Sequence, residues 1–119
     1  MKLSIIRIVD RGVQDKERLY LKALNDVNLS SYLVFSTSYS EPAKISAGGK
    51  SAYWFPPKRV KAGDSIILYT GTGKPSETKK TDGTTTYFLY WGWKAPLWVA
   101  TGKCAVVMEL ADWVTSQYE

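Results

Sequence analysis

Four stretches of this sequence carry residue types that chemistry uses. Gly71-Thr72-Gly73-Lys74 sets glycines ahead of a lysine, the raw material of a phosphate cradle. That cradle also needs a glycine five residues before Gly73 and a hydroxyl residue after the lysine. Leu68 and Pro75 stand there instead, and proline removes a backbone N–H donor, so the stretch reads as a flexible loop tip. Ser76-Glu77-Thr78-Lys79 spells the Ser-x-x-Lys pair of penicillin-binding enzymes, but no apolar helix holds the pair and its partner motifs are missing. Glu109 with Asp112, and Asp10 with Asp15, are close carboxylates without the apolar setting that raises a pKa. Eleven acids in 119 residues produce such neighbours by chance. No Asp-x-Asp spacing or glycine-anchored calcium loop is present either.

Composition closes further routes. With no histidine, neither a Ser-His-Asp triad nor a Cys-His couple can form. One cysteine, Cys104, makes no internal disulfide and no thiolate metal cage. The expectation is a protein that is not an enzyme and holds no cofactor or metal.

Two signals are left. The first is a net charge of +5, carried by lysines that fall partly into two clusters, Lys58-Arg59-Lys61 and Lys74 with Lys79-Lys80. Such clusters release counterions when they meet phosphate, so Lys58, Arg59 and Lys61 are candidate phosphate contacts, although solvated loops look the same. The second is aromatic: eight Tyr, five Trp and three Phe. Trp54, Trp91 and Trp98 are expected to fill a small core, each ring burying on the order of 150–250 Å². Trp93 is harder to place inside, because Gly92 and Pro96 suggest that its strand is ending. An exposed Trp93 beside Lys94, with Lys74, Lys79 and Lys80, makes a candidate partner-binding surface.

The elements that would position these residues read as all-β, in one domain spanning residues 1–119. Runs rich in β-branched and aromatic residues alternate with turn signals. Leu3 to Val9 is one such run, residues 32–36 alternate weakly, and Ser65 to Tyr69 is entered from the turn Ala62-Gly63-Asp64. Thr84 to Trp91 is apolar on both faces, as suits a central strand covered on both sides. Cys104, Val106, Met108 and Leu110 share a face of the last strand, with Lys103 and Glu109 opposite, and Cys104 reads as a small buried hydrophobe. Residues 40–50 and 71–83 read as loops, the second a mobile surface excursion. Lys16 to Val27 fits a strand through Leu19, Leu21 and Ala23, or a helix through Tyr20, Ala23, Leu24 and Val27 capped by Asp15. Leu110 to Tyr118 is equally ambiguous. The apolar start stops at Arg7, short of a signal-peptide core, and no run approaches the roughly 20 residues that span a bilayer. A cytoplasmic protein is expected.

Several stretches resemble, in order, the lamin tail domain, an immunoglobulin-like β-sandwich. Residues Glu17 to Leu24, followed by Val27 to Val34, are similar to the family's opening: a strand reading acid-x-apolar-x-apolar, a short turn, then Leu-Ser-x-aromatic. Tyr53-Trp54-Phe55-Pro56, with Val60 to Tyr69, looks like its middle, where an aromatic-Phe-Pro element precedes a Gly-acid turn into a strand. Tyr90-Trp91-Gly92, Leu97-Trp98 and Gly102 to Val107 resemble its close. Tyr32 stands where the family usually has Trp, and Val99-Ala100-Thr101 where Asn-Asn often follows the second Trp. The resemblance implies a strand over residues 17–24. It also implies a non-catalytic module that binds a protein partner, or its own copy, through edge strands and exposed aromatics. Nucleic-acid binding through the lysine-rich loops is the alternative; no membrane partner is expected.

Overall fold

The computed structural model describes residues 1–41, 44–45, 47–48 and 51–117. Parts of the loop expected over 40–50, and Tyr118, lie outside the described residues. The described residues hold eleven strands, one 3-10 turn and no α-helix. The strands are β1 (Leu3–Val9), β2 (Arg18–Ala23), β3 (Val27–Asn28), β4 (Tyr32–Glu41), β5 (Lys44–Ile45) and β6 (Ser51–Trp54). Then follow β7 (Arg59–Val60), β8 (Ser65–Tyr69), β9 (Ser76–Lys79), β10 (Thr85–Tyr90) and β11 (Lys103–Glu109).

Residues 18–23 had two readings, and the strand wins. Leu19, Leu21 and Ala23 are fully buried while Arg18, Tyr20 and Lys22 point the other way, a period of two that a helix would scatter. Burial of that row on a sheet outweighs the few tenths of a kcal/mol by which Leu, Lys and Arg favour helix.

The first sheet runs β1-β2-β8-β10-β9. All its pairings are antiparallel except β8 with β10, which is parallel over Ser65–Tyr69. The chain leaves β8, crosses to the sheet edge as β9, turns back near Gly83, and inserts β10 between the two. Here the structure corrects the loop expected over 71–83: Ser76–Lys79 is a strand, paired with Thr85–Phe88. In the second sheet β4 pairs with β11 along one edge and with β6 and β5 along the other. The long β4 and the short β5 also take part of what read as the 40–50 loop. A two-residue pairing of β3 with β7 clasps the side.

The two sheets share one core, giving a sandwich-like all-β fold. Leu19, Leu21, Ile66, Leu68 and Leu89 come from the first sheet, Tyr32 and Val34 from the second, and Phe55 and Trp98 close the gap. From β11 it is Ala105 and Val107 that pack on this core. The row Cys104, Val106, Met108 therefore faces away from it, against Phe35, Thr37 and Ile45, and Cys104 is half-buried rather than a core residue. Trp54 is also corrected: it is 48% exposed, whereas Trp98 is 0% exposed and Trp91 packs at the core's margin.

Two carboxylates tie the loops to this frame. Glu17 is completely buried and accepts from the backbone N–H groups of Gly12 (2.8 Å), Leu97 (2.7 Å) and Trp98 (3.1 Å). The Trp98 indole N–H then donates to the Cys104 carbonyl at 3.0 Å, fixing the segment before β11. Asp64 accepts from Lys61 N–H (2.9 Å) within its own turn and from Thr85 N–H (2.9 Å) at the start of β10. Gly63, at φ +92, provides the left-handed step of that turn.

Candidate functional site

The residues singled out from the sequence fall into two places rather than one. Antiparallel pairing puts Lys79 opposite Thr85, at the start of β10, and Lys80 in the hairpin just beyond. Trp93 and Lys94 lie past the other end of β10, where Trp93 N–H donates to the Thr70 carbonyl at 2.8 Å and the Lys94 carbonyl accepts from Gln14 at 3.2 Å. Trp93 is 41% exposed. Lys74 belongs to that same end, because the preceding Gly73 lies on the Tyr90 ring so closely that a Cβ there would overlap it. The fold therefore separates Trp93 and Lys94 from Lys79 and Lys80 by the length of β10.

What the fold does bring together is the other pairing. Arg59, Lys61 and Lys79 line one depression of about 410 Å³ with Tyr87, Thr85, Asp64 and Glu77. Lys79 of the second basic cluster thus meets Arg59 and Lys61 of the first, while Lys74 and Lys80 lie outside this depression. Lys58 is diverted: its ammonium pairs with Glu77 at 3.0 Å and lies 5.4 Å from the centre of the Tyr87 ring. Glu77 holds that ammonium above the usual lysine range. Asp82, in the hairpin, accepts from the Thr84 hydroxyl (2.6 Å) and N–H (2.9 Å), which keeps it below the usual carboxylate range.

The largest exposed aromatic pair is one that sequence reasoning missed. Trp54 and Trp113 meet edge to face, ring centres 5.2 Å apart, and Trp113 is 57% exposed. With Phe55, Pro57 and Ser30 they line a mostly apolar cleft of about 470 Å³. The cleft exists because Tyr53 turns inward to meet Phe55 and Trp91, so its neighbour on β6 must turn out. Trp54 is held there by its indole N–H, which donates to the Ser30 carbonyl at 2.7 Å. Ser30 is placed in turn by Asn28, whose side-chain oxygen accepts from Ser30 N–H at 3.0 Å and caps the 3-10 turn Leu29–Ser31. The signal available in the sequence was the two-residue period of Ser51–Trp54, in which Tyr53 and Trp54 cannot both face the core.

The remaining carboxylates offer little for catalysis. Glu17, Asp64 and Asp82 accept backbone N–H groups, as does Asp26 from Ala62 (2.9 Å), and Asp10 pairs with Arg18 at 2.7 Å. Among the described residues no three His, Cys, Asp or Glu side chains group as a metal site. Among the described residues no helix is long and apolar enough to cross a membrane. No protein-family model and no curated protein matches the chain.

Proposed function

We propose that the chain is a non-catalytic interaction module of the immunoglobulin-like, lamin-tail type, and that it binds a protein partner in the Trp54–Trp113 cleft. One observation carries this reading: two indoles, each about half exposed, meet edge to face beside Phe55 and Pro57, with Trp54 held by its indole N–H. Large aromatic anchors at low entropic cost are what protein-binding hot spots are made of. The cleft replaces Trp93 and Lys94 as the principal contact. The polar edge strand β9 and the outer edge of β1 are further surfaces on which an extended partner, or a second copy, can pair. The use made of the carboxylates supports the non-catalytic part, and a cytoplasmic location belongs to the same reading.

The test is a pull-down from the native host with wild type, Trp54→Ala and Trp113→Ala side by side, together with sedimentation of the protein alone. A partner, or a dimer, that both substitutions abolish without changing the circular dichroism supports the reading. A partner retained by both variants places its site elsewhere and ends it. A second reading, nucleic-acid contact through the lysine-rich loops, is favoured by the convergence of Arg59, Lys61 and Lys79; it is weakened by Asp64 and Glu77 in the same depression.

A further inference from the structure

The first sheet has a second face, turned away from the core, and its residues follow from the register. Arg18, Tyr69 and Tyr90 form one row across β2, β8 and β10; Tyr20, Ile67 and Phe88 form the next; Lys22, Ser65 and Thr86 form the third. The first row and Tyr20 are locked together. The Arg7 guanidinium lies 5.4 Å from the centre of the Tyr20 ring, Arg18 lies 5.8 Å from Tyr20 and 5.6 Å from Tyr69, and Tyr69 stacks on Tyr90 at 5.1 Å and 13°. Beside this ladder the other two rows sink into a depression of about 520 Å³. Its floor is Ile67, Phe88 and Thr86; its rim carries Arg7, Lys22 and Lys80.

Three features of this depression point to a ligand. Its lining holds three cations and no carboxylate, unlike the Arg59–Lys61–Lys79 depression. Asp82, the acid nearest in sequence to Lys80, feels the lysine's charge but takes its hydrogen bonds from Thr84 and stands outside the lining. The Thr86 hydroxyl, in a residue only 6% exposed, finds no hydrogen-bond partner in the protein. A buried hydroxyl left unpaired is costly, so a ligand that displaces its cover and supplies its partner gains on binding. Cations around an apolar, aromatic floor, with the hydroxyl residues Thr86, Ser65 and Tyr20 in the lining, match a nucleobase joined to phosphates.

We propose that the outer face of the five-stranded sheet binds single-stranded nucleic acid, seating one base over Ile67 and Phe88 against the Thr86 hydroxyl, with flanking phosphates on Arg7, Lys22 and Lys80. A strand rather than a duplex is the occupant, because duplex bases are stacked away and could use neither the floor nor the hydroxyl. A strand rather than a free nucleotide is favoured by cations on three separate strands and turns: Arg7 on β1, Lys22 on β2, Lys80 after β9. This goes beyond the protein-binding reading and uses none of the residues of the Trp54–Trp113 cleft.

The experiment is anisotropy of a labelled oligothymidine of about 12 nucleotides, read at several salt concentrations, with the matching duplex and adenosine monophosphate as competitors. Affinity is expected to fall with salt at a log–log slope of roughly −2 to −3, as three phosphate contacts require. Lys22→Glu with Lys80→Glu should weaken binding at least about tenfold and bring the slope near −1. Thr86→Val, which keeps the shape, should weaken it several-fold at unchanged slope. Lys16→Glu with Lys74→Glu, which makes the same change in charge outside the depression, controls for net charge. Circular dichroism and melting temperature establish that each variant is folded. Absence of binding at low salt, equal affinity for duplex or for the mononucleotide, or affinity indifferent to both the Lys22/Lys80 and the Thr86 changes overturns the proposal. So does a loss that follows Lys61→Glu alone, which would move the contact to the lysine-rich loops.

Discussion

Glu17 shows how much of this molecule rests on one side chain. Its carboxylate is shut from water and takes the N–H groups of Gly12, Leu97 and Trp98, joining the β1–β2 loop to a segment about 80 residues later. Glu17→Gln keeps the shape, removes the charge, and introduces two N–H donors where only donors already converge. The expected loss is about 2–4 kcal/mol, read from the urea midpoint, since several buried donors then lack a good acceptor. An unchanged midpoint would show that those N–H groups have other acceptors. Tyr32 gives a pH test at the same scale. Burial, helped by its hydroxyl donating to Glu109 at 3.0 Å, pushes its pKa up to about 12 from 10. The folded state then holds the proton longer than the unfolded chain does, so Tyr32's contribution is intact below pH 10 and is lost as pH rises from 10 to 12. Urea unfolding at pH 9 and pH 12 should show a smaller decline for Tyr32→Phe than for wild type; identical declines would remove Tyr32 as the cause.

At the scale of elements, the strands that were legible were those with an apolar run or a turn signal of their own. Leu3–Val9 and Ser65–Tyr69 announce themselves by composition and a turn, whereas Leu19-x-Leu21-x-Ala23 alternates but fits a helix as well until burial on the sheet decides. β9 was not legible, because Ser76–Lys79 is an edge strand exposed along its whole length, so it carries no apolar row to read. Its lysine and hydroxyl residues are what keep an open edge from pairing indiscriminately. β11 failed for the opposite reason: both its rows carry apolar residues, and the row that ends in Lys103 and Glu109 is the one whose Ala105 and Val107 pack inside. The same limit hid the cleft and the outer face, which depend on register between distant strands. Gly73 is where this matters most. Read as a free loop tip, it lies against the Tyr90 ring, so Gly73→Ala should cost about 1–3 kcal/mol through overpacking. Tyr90→Ala makes room for the new methyl, and a double-mutant cycle should recover most of that cost. Strict additivity would mean that the loop passes clear of the ring.

For the molecule as a whole, the decisive fact is where five tryptophans go. A sandwich core only two sheets deep has room for one completely enclosed indole, Trp98, with Trp91 against its edge at 6.1 Å between ring centres. Trp54, Trp93 and Trp113 are left at least two-fifths exposed. An indole about half in water gains only part of the burial energy, so its substitution should cost less in stability, whereas removal of an enclosed one costs the whole transfer free energy and opens a cavity. Trp98→Ala should therefore lose about 3–5 kcal/mol, a large share of a small domain's stability. It also strands the Cys104 carbonyl that now accepts the indole N–H. Trp113→Ala should shift the unfolding midpoint by well under about 1 kcal/mol while moving the emission of Trp54 to longer wavelength, as that ring loses its edge-to-face neighbour. If Trp113→Ala instead proved as costly as Trp98→Ala, the cleft would be part of the core, and the surface assigned to a partner would belong to the fold.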